Sequence, residues 1–257
     1  MKVSRRRMLR RTGSYVSAAL LASLAAACGS AEPVRTPTLA PTATRTPPAV
    51  DTTEAPTSTP APQPTLEATP TPDRSVVPPG QRVISRFPVL DLGYRPQVSL
   101  EEWYLDVRGT VEDPVTLTWE QFQALPRVQR TWHFSCVTGW TKENVSWEGV
   151  LLQEIMRMVR PREDVVAVIL EGRDGYTTNL VYEEARREEI LLADTLEGDE
   201  LPLPHGGPVR AVVPYLYGWK SCKFLNRIRF ELVDEPGYWE TRGYHNHADP
   251  WREERFA

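Results

Sequence analysis

The stretch HFSCVTGW, residues 133–140, places one cysteine, Cys136, between a histidine and a glycine–tryptophan pair. A lone thiol can ligate a soft metal, act as a nucleophile or fill a hydrophobic core. A nucleophile needs a base within reach, and His133 is the nearest histidine in the sequence. On a strand, positions 133 and 136 face opposite sides, which weakens that pairing. All three roles stay open on this stretch alone.

A second group of candidate residues lies in HGGPVRAVVPYLYGWKSCKFLNRI, residues 205–228. Two glycines allow a close backbone approach, and Arg210 begins an apolar strand, where a buried guanidinium needs an anion. Lys220, Ser221 and Lys223 bring two ammonium groups and a hydroxyl to one turn, a pattern that suits a phosphate group. The alternative is a solvated basic turn without a ligand.

A third segment, GYWETRGYHNHADPWREERF, is too aromatic for a loose tail, and we expect it to pack on the folded domain. His245 and His247 are two residues apart, so both face one side of an extended chain. A pair of histidines without a third ligand is a weak metal site.

Short strands and short helices must position these residues. Thr118 and Gln121 form a capping box that predicts a helix over 118–125. Apolar spacing predicts two more helices, over 149–159 and 181–192. Strands are predicted over residues 103–111, 165–170, 174–180, 208–214 and 226–233. This mixture without strict alternation predicts an α+β fold.

The first 28 residues are typical of an export signal and are set aside from the fold. A basic start is followed by an apolar, alanine-rich stretch that is too short for a confident membrane span. Arg5 and Arg6 fit a twin-arginine signal, with general secretory export as the alternative. LAAAC resembles a bacterial lipoprotein cleavage site, so Cys28 is the predicted lipidation site.

Residues 29–80 have the composition of a disordered linker. They are rich in Pro, Thr and Ala, and 13 of the 24 prolines lie between residues 31 and 80. Proline keeps such a chain extended, so about 50 residues could reach about 150 Å. The remaining residues, 81–257, are long enough for one hydrophobic core and are called the head below.

Charge and cysteine content exclude two classes of protein. Residues 1–28 hold six of the 30 basic residues and none of the 34 acidic ones, so the rest of the chain has a net charge of −10. That charge argues against a nucleic-acid partner, and three cysteines are too few for a disulfide scaffold.

The head resembles the molybdopterin-binding oxidoreductase domain, the fold of sulfite oxidase and of the catalytic subunit of periplasmic methionine-sulfoxide reductase. The resemblance covers residues 81–257 and follows the family's order and spacing. It rests on RFPVLDLG, WYLDVRGTVEDPVTL, CVTGWTKENVSWEGVLL, DGYTTNL, HGGPVRAVVPYLYGWKSCKFLNRI and PGYWETRGYHNHADPW. The implied fold is the sulfite-oxidase type, with mixed sheets and short helices.

The resemblance implies a role for each candidate residue. Cys136 would be the catalytic thiolate that ligates molybdenum. The residues that would hold the Mo-molybdopterin cofactor are His205, Arg210, Lys220, Ser221, Cys222 and Lys223, with Cys222 acting through its backbone. His133, Trp140 and Lys142 lie near Cys136 in sequence and are candidates for the substrate side.

The implied activity is two-electron oxo transfer on a small substrate, either sulfite-like oxidation or sulfoxide reduction. The sequence has no C-x-x-C-H haem motif, so we expect a separate electron carrier, a cytochrome or a membrane haem protein. Twin-arginine export carries folded proteins, which suits a cofactor inserted in the cytoplasm. The expected location is a lipid-anchored enzyme on the outer face of the cytoplasmic membrane.

Two other functions compete with this interpretation. A non-enzymatic stalked lipoprotein would bind a ligand or partner in a groove and contain no metal. A cysteine hydrolase would use Cys136 and His133, and its thiol would react with iodoacetamide in the native protein.

Overall fold

The structure is a computed structural model that describes residues 77–257. The predicted export signal with Cys28, and the predicted linker up to residue 76, lie outside the described residues. Within 77–257 no helix is long and apolar enough to cross a membrane.

Eleven strands and three short α-helices make up the described part of the chain. In chain order they are β1 (Arg82–Ile84), β2 (Tyr104–Gly109), β3 (Val115–Thr118), α1 (Trp119–Gln123), β4 (Arg127–Cys136), β5 (Trp140–Leu151), α2 (Leu152–Val159), β6 (Ala167–Gly172), β7 (Thr177–Val181), α3 (Tyr182–Ala185), β8 (Leu191–Leu196), β9 (Asp199–Glu200), β10 (Arg210–Val212) and β11 (Leu225–Glu231). Four 3₁₀ turns lie at Leu203–His205, Gly218–Lys220, Glu240–Arg242 and Pro250–Arg252.

The strands form two mixed sheets. One has the order β1-β5-β8-β10, with β4 also paired to β5 and β9 to β8; the other has the order β3-β2-β11-β6-β7. Only the pairs β1–β5 and β2–β11 are parallel among these strands. Mixed sheets with few, short helices confirm the predicted α+β class.

The main hydrophobic core joins residues from both sheets and from α2. Leu105 and Val107 of β2 are fully buried there, as are Ile228 of β11 and Ile155 of α2. A second cluster, around Phe134 and Trp147 and their neighbours on β8, lies on the β4–β5 hairpin. The second cluster supports the strand that ends at Cys136.

The structure confirms the helix at 118–125 and shortens the next one. Thr118 Oγ1 accepts from Gln121 N at 3.4 Å, and Gln121 Oε1 accepts from Thr118 N at 2.9 Å, which completes the capping box. The helix predicted over 149–159 begins only at Leu152, because residues 149–151 pair with β4 and β8. Gly149 permits that pairing, since a Cβ there would lie 2.1 Å from the carbonyl oxygen of Leu192.

The helix predicted over 181–192 is wrong in its second half. Helix α3 ends at Ala185, and Leu191–Leu196 form strand β8. Glu, Arg and Leu favour a helix locally, but β8 lies between β5 and β10, where Leu191 and Leu192 are fully buried. Pairing with two strands outweighs the local preference.

The aromatic segment at 237–256 packs on the head, as predicted. Ala248 is fully buried, and Tyr217 N donates to its carbonyl oxygen at 2.9 Å. An antiparallel bridge joins Tyr244 to Phe256. The segment thus reaches the same side of the molecule as the turn at 218–220.

Candidate functional site

A cavity of about 330 Å³ brings together the ends of several elements. Its wall is mainly aromatic, with Phe87, Phe134, Trp140, Tyr176, Trp219, Trp239 and Tyr244. Polar and ionisable groups occupy the rest, among them Asp91, Cys136, Thr138, Asp174, His205, Arg210, Ser221 and Lys223. Five of the seven predicted site residues therefore line one cavity.

Cys136 is the last residue of β4 and is 8% exposed. Its carbonyl oxygen accepts from Gly139 N at 3.1 Å and from Gln81 Nε2 at 3.3 Å. Thr138 Oγ1 lies 3.2 Å from Sγ and donates to it. The thiol is a free thiol with a fixed backbone and one hydroxyl donor, in a cavity wall.

Arg210 begins β10 and is 3% exposed. Its guanidinium donates to the carbonyl oxygens of His205, Ala211 and Ser221 at 2.9, 3.2 and 3.0 Å. Burial lowers its pKa to about 10. No carboxylate of the described residues forms an ion pair with it, so the buried charge lacks a counter-ion within residues 77–257.

Lys223 adds a second cation to the same wall. Its Nζ donates to the carbonyl oxygen of Pro204 at 2.8 Å. Burial, together with the positive charge of Arg210, lowers its pKa to about 8, although Asp91 and Asp174 act in the opposite direction. Two cations that destabilise each other favour an anionic ligand between them.

His205 ends a 3₁₀ turn, and its ring lies 5.0 Å from that of Phe87. Burial, and then the charges of Arg210 and Lys223, lower its pKa to about 4. The imidazole is therefore neutral at pH 7 and can donate one hydrogen bond and accept another. The adjacent Gly206 has φ 107°, and a Cβ there would lie 2.8 Å from Lys223 Cγ, so glycine lets the two segments meet.

The remaining turn residues divide between the cavity and the interior. Ser221 lines the cavity, and its Oγ accepts from Val213 N at 3.0 Å. Lys220 and Cys222 are fully buried and do not line the cavity. Lys220 Nζ lies 2.7 Å from Glu240 Oε1, and its predicted place beside Lys223 in a phosphate cradle is not where the structure puts its ammonium group.

Sequence reasoning missed most of the aromatic wall and two acidic residues. Phe87 and Asp91 lie in RFPVLDLG, and Asp174 and Tyr176 lie in DGYTTNL, two stretches whose residues were not assigned individually. An acidic or aromatic residue next to a glycine or proline in these stretches was the available signal. Trp239 and Tyr244 come from the aromatic segment 237–256.

The two histidine candidates lie away from the thiol. His133 does not line the cavity, and its Nδ1 accepts from Asn144 N at 3.3 Å. His247 Nδ1 lies 2.7 Å from Glu254 Oε2, and its Nε2 lies 3.4 Å from Glu184 Oε1. No group of three or more His, Cys, Asp or Glu side chains within residues 77–257 could hold a metal ion. Of the two neighbours of Cys136, Trp140 lines the cavity and Lys142 does not.

The family model for the oxidoreductase molybdopterin-binding domain matches residues 92–239, which include all the predicted site residues of the head. The chain belongs to this family. The resemblance that the sequence motifs indicated is thereby confirmed.

Relatives and a solved structure agree with the family. The uncharacterized oxidoreductase YuiH of Bacillus subtilis is 40% identical over 182 residues, which cover 70% of this chain and 92% of that protein. The protein-methionine-sulfoxide reductase catalytic subunit MsrP of Ralstonia nicotianae is 29% identical over 171 residues, 58% of this chain and 51% of that protein. The sulfane dehydrogenase SoxCD of Paracoccus pantotrophus shares the fold, with a TM-score of 0.50 and 22% identity, covering 54% of this chain and 40% of that one.

These comparisons place the protein among the enzymes as a molybdopterin-family oxidoreductase. They leave no support for the stalked binding lipoprotein without activity, nor for a cysteine hydrolase. The chain spans about half the length of the methionine-sulfoxide reductase relatives.

The described residues fit the group for which the family is named. Molybdopterin presents sulfur and a phosphate, and a molybdenum centre prefers soft thiolate ligands. The cavity holds one thiol, Cys136, and two cations, Arg210 and Lys223, of which Arg210 is buried without an ion-pair partner within 77–257. A phosphate would supply the missing negative charge.

Proposed function

We propose that this chain binds Mo-molybdopterin in the described cavity and catalyses oxo transfer on a small substrate. When bound, the cofactor supplies two-electron oxo-transfer chemistry at one mononuclear molybdenum. The observation that carries the proposal is the meeting of Cys136 with Arg210 and Lys223 in one mainly aromatic cavity. These residues come from β4, β10 and the turn before β11, which are far apart in sequence.

Each residue then has a specific task. Cys136 loses its proton and ligates the metal, and Thr138 donates a hydrogen bond to the sulfur. Arg210 and Lys223 bind the phosphate, and neutral His205 contacts the cofactor through hydrogen bonds. Lys220 and Cys222 contribute only through the backbone of the turn that they share with Ser221.

The lining favours one of the two open directions. Among the described residues that line the cavity, the cations are Arg210 and Lys223, and both are assigned to the phosphate. The aromatic remainder suits a neutral organic sulfoxide better than a sulfite-like dianion, which would need further cations. We therefore assign sulfoxide reduction ahead of sulfite-like oxidation. Reduced-dye oxidation with small sulfoxides, against ferricyanide reduction with sulfite, decides between them.

The same proposal includes export and anchoring. Arg5 and Arg6 would direct twin-arginine export, and a lipid on Cys28 would hold the enzyme on the outer face of the cytoplasmic membrane. A separate haem carrier would exchange electrons with it. Palmitate labelling that disappears in Cys28→Ser, with the head still exported, is the expected result; unchanged labelling would contradict the anchor.

Metal analysis tests the central proposal. The protein is produced with its own signal in a bacterium that makes the cofactor, and molybdenum and acid-released pterin fluorescence are measured. We expect about one of each per chain, both lost in Cys136→Ser. Cys222→Ser is the matched control, because it removes a second buried thiol that does not line the cavity. A folded wild-type protein with neither group, beside a loaded control molybdoenzyme, would contradict the proposal.

A further inference from the structure

The loop Val137–Gly139 joins β4 to β5 directly after Cys136, and two remote segments hold its backbone. Arg255 Nη1 donates to the carbonyl oxygen of Val137 at 2.6 Å. Arg82 N donates to the carbonyl oxygen of Gly139 at 3.1 Å. Two consecutive carbonyls, of Cys136 and Val137, thus accept from side chains more than 50 residues away in sequence.

Arg255 bridges the two sides of this arrangement. Its Nη2 also lies 3.5 Å from the carbonyl oxygen of Pro79 and 3.4 Å from that of Gly80, the residues that lead into β1. Its guanidinium lies 5.3 Å from the ring centroid of Tyr217. A planar fork of donors can hold several carbonyls in fixed directions, whereas a lysine ammonium acts as a point charge.

The guanidinium itself is held in place. His245 N donates to the carbonyl oxygen of Arg255 at 3.2 Å, and the bridge between Tyr244 and Phe256 flanks it. The side chain is 19% exposed, and the carboxylate of Glu253 is 3.8 Å away. The shortest contact of the guanidinium is therefore with a carbonyl of the loop, not with an acid.

We propose that Arg255 is a positioning residue for Cys136. By holding Val137 against the segment 79–82, it keeps the loop in the one conformation that directs Sγ into the cavity, with the Thr138 hydroxyl on the sulfur. The value of this for a metal ligand rests on the proposed function. The geometric part, which is control of thiol accessibility, does not.

The test measures alkylation of each cysteine in the cofactor-free protein. Iodoacetamide is added to native protein, and rates at Cys136 and Cys222 are followed by peptide mass spectrometry. Arg255→Ala is expected to raise the rate at Cys136 at least tenfold and to leave Cys222, which is fully buried elsewhere, unchanged. Arg255→Lys is expected to show a smaller selective rise, because the charge remains and the fork is lost.

Arg252→Ala is the matched control. Arg252 lies three residues earlier, its side chain is 72% exposed, and its contacts are ion pairs at 3.6 and 3.8 Å within the same segment. We expect wild-type alkylation at both cysteines. A Cys136 rate within twofold of wild type in Arg255→Ala, or an equal rise at both cysteines in Arg255→Ala and Arg255→Lys, would overturn the proposal.

Molybdenum retention separates this proposal from the proposed function. If the wild-type protein takes up molybdenum, Arg255→Ala should lose it faster than Arg252→Ala during gel filtration. If the wild-type protein takes up none, the proposed function fails, and the selective alkylation of Cys136 still decides the role of Arg255.

Discussion

Replacing Glu240 by glutamine should destabilise the protein by about 3 kcal/mol, because breaking a buried ion pair costs about 3–5 kcal/mol. The side chains of Lys220 and Glu240 are each 1% exposed, and their charged atoms are 2.7 Å apart. Glu240 Oε1 also accepts from Thr178 Oγ1 at 2.8 Å and from Trp219 Nε1 at 3.2 Å. Glutamine keeps an acceptor for both donors, so the loss comes from Lys220, whose ammonium retains only the two oxygens of Asn179.

The pH dependence of that loss has a definite sign. Burial lowers the pKa of Lys220, while Glu240 raises it, so Glu240→Gln lowers the folded-state pKa further below the unfolded value. Between those two values the unfolded chain binds the extra proton, so the stability of the variant rises with pH. We expect the difference from wild type to shrink between pH 7 and about 10, because an unfolded lysine titrates near 10.4.

Equilibrium urea unfolding measures both effects. Lys220→Met added to Glu240→Gln removes the unpaired charge and should bring stability to within about 1 kcal/mol of wild type. The control Glu183→Gln breaks an exposed pair, with Arg186 at 59% and Glu183 at 79% exposure, and should cost less than about 0.5 kcal/mol. A double variant less stable than Glu240→Gln would refute the reasoning.

Two further predictions concern the cavity itself. His205 titrates at about 4 when folded and near 6.5 when unfolded, so the cofactor-free protein should lose stability as pH falls from 6.5 to 4. Urea titrations at several pH values should show a shallower slope for His205→Asn, and equal slopes would contradict the assignment. Millimolar phosphate should raise the Tm of the cofactor-free protein, less so in Lys223→Gln, and the wild-type effect should weaken above pH 8, where the Lys223 ammonium loses its proton. An identical rise in wild type and variant would show that Lys223 does not bind the anion.

Local patterns predicted those elements whose stability comes from neighbouring residues. The Thr118–Gln121 capping box specified helix α1 correctly, because both of its hydrogen bonds lie within four residues. The segment 181–192 was mispredicted because strand β8 is stabilised by β5 and β10, which lie elsewhere in the sequence. The β4–β5 hairpin, which positions the thiol, was also absent from the predicted elements.

Residue types and motif order in the sequence determined the family, the α+β class and the identity of Cys136, Arg210 and Lys223 as site candidates. Only the tertiary structure decided which side chains meet. Lys220 and Lys223 are equivalent on paper, yet one ammonium is paired with Glu240 in the interior and the other lines the cavity. The 3₁₀ turn before Ser221 and the strand after it turn the two side chains in different directions, and the partner that neutralises Lys220 lies 20 residues later in the chain.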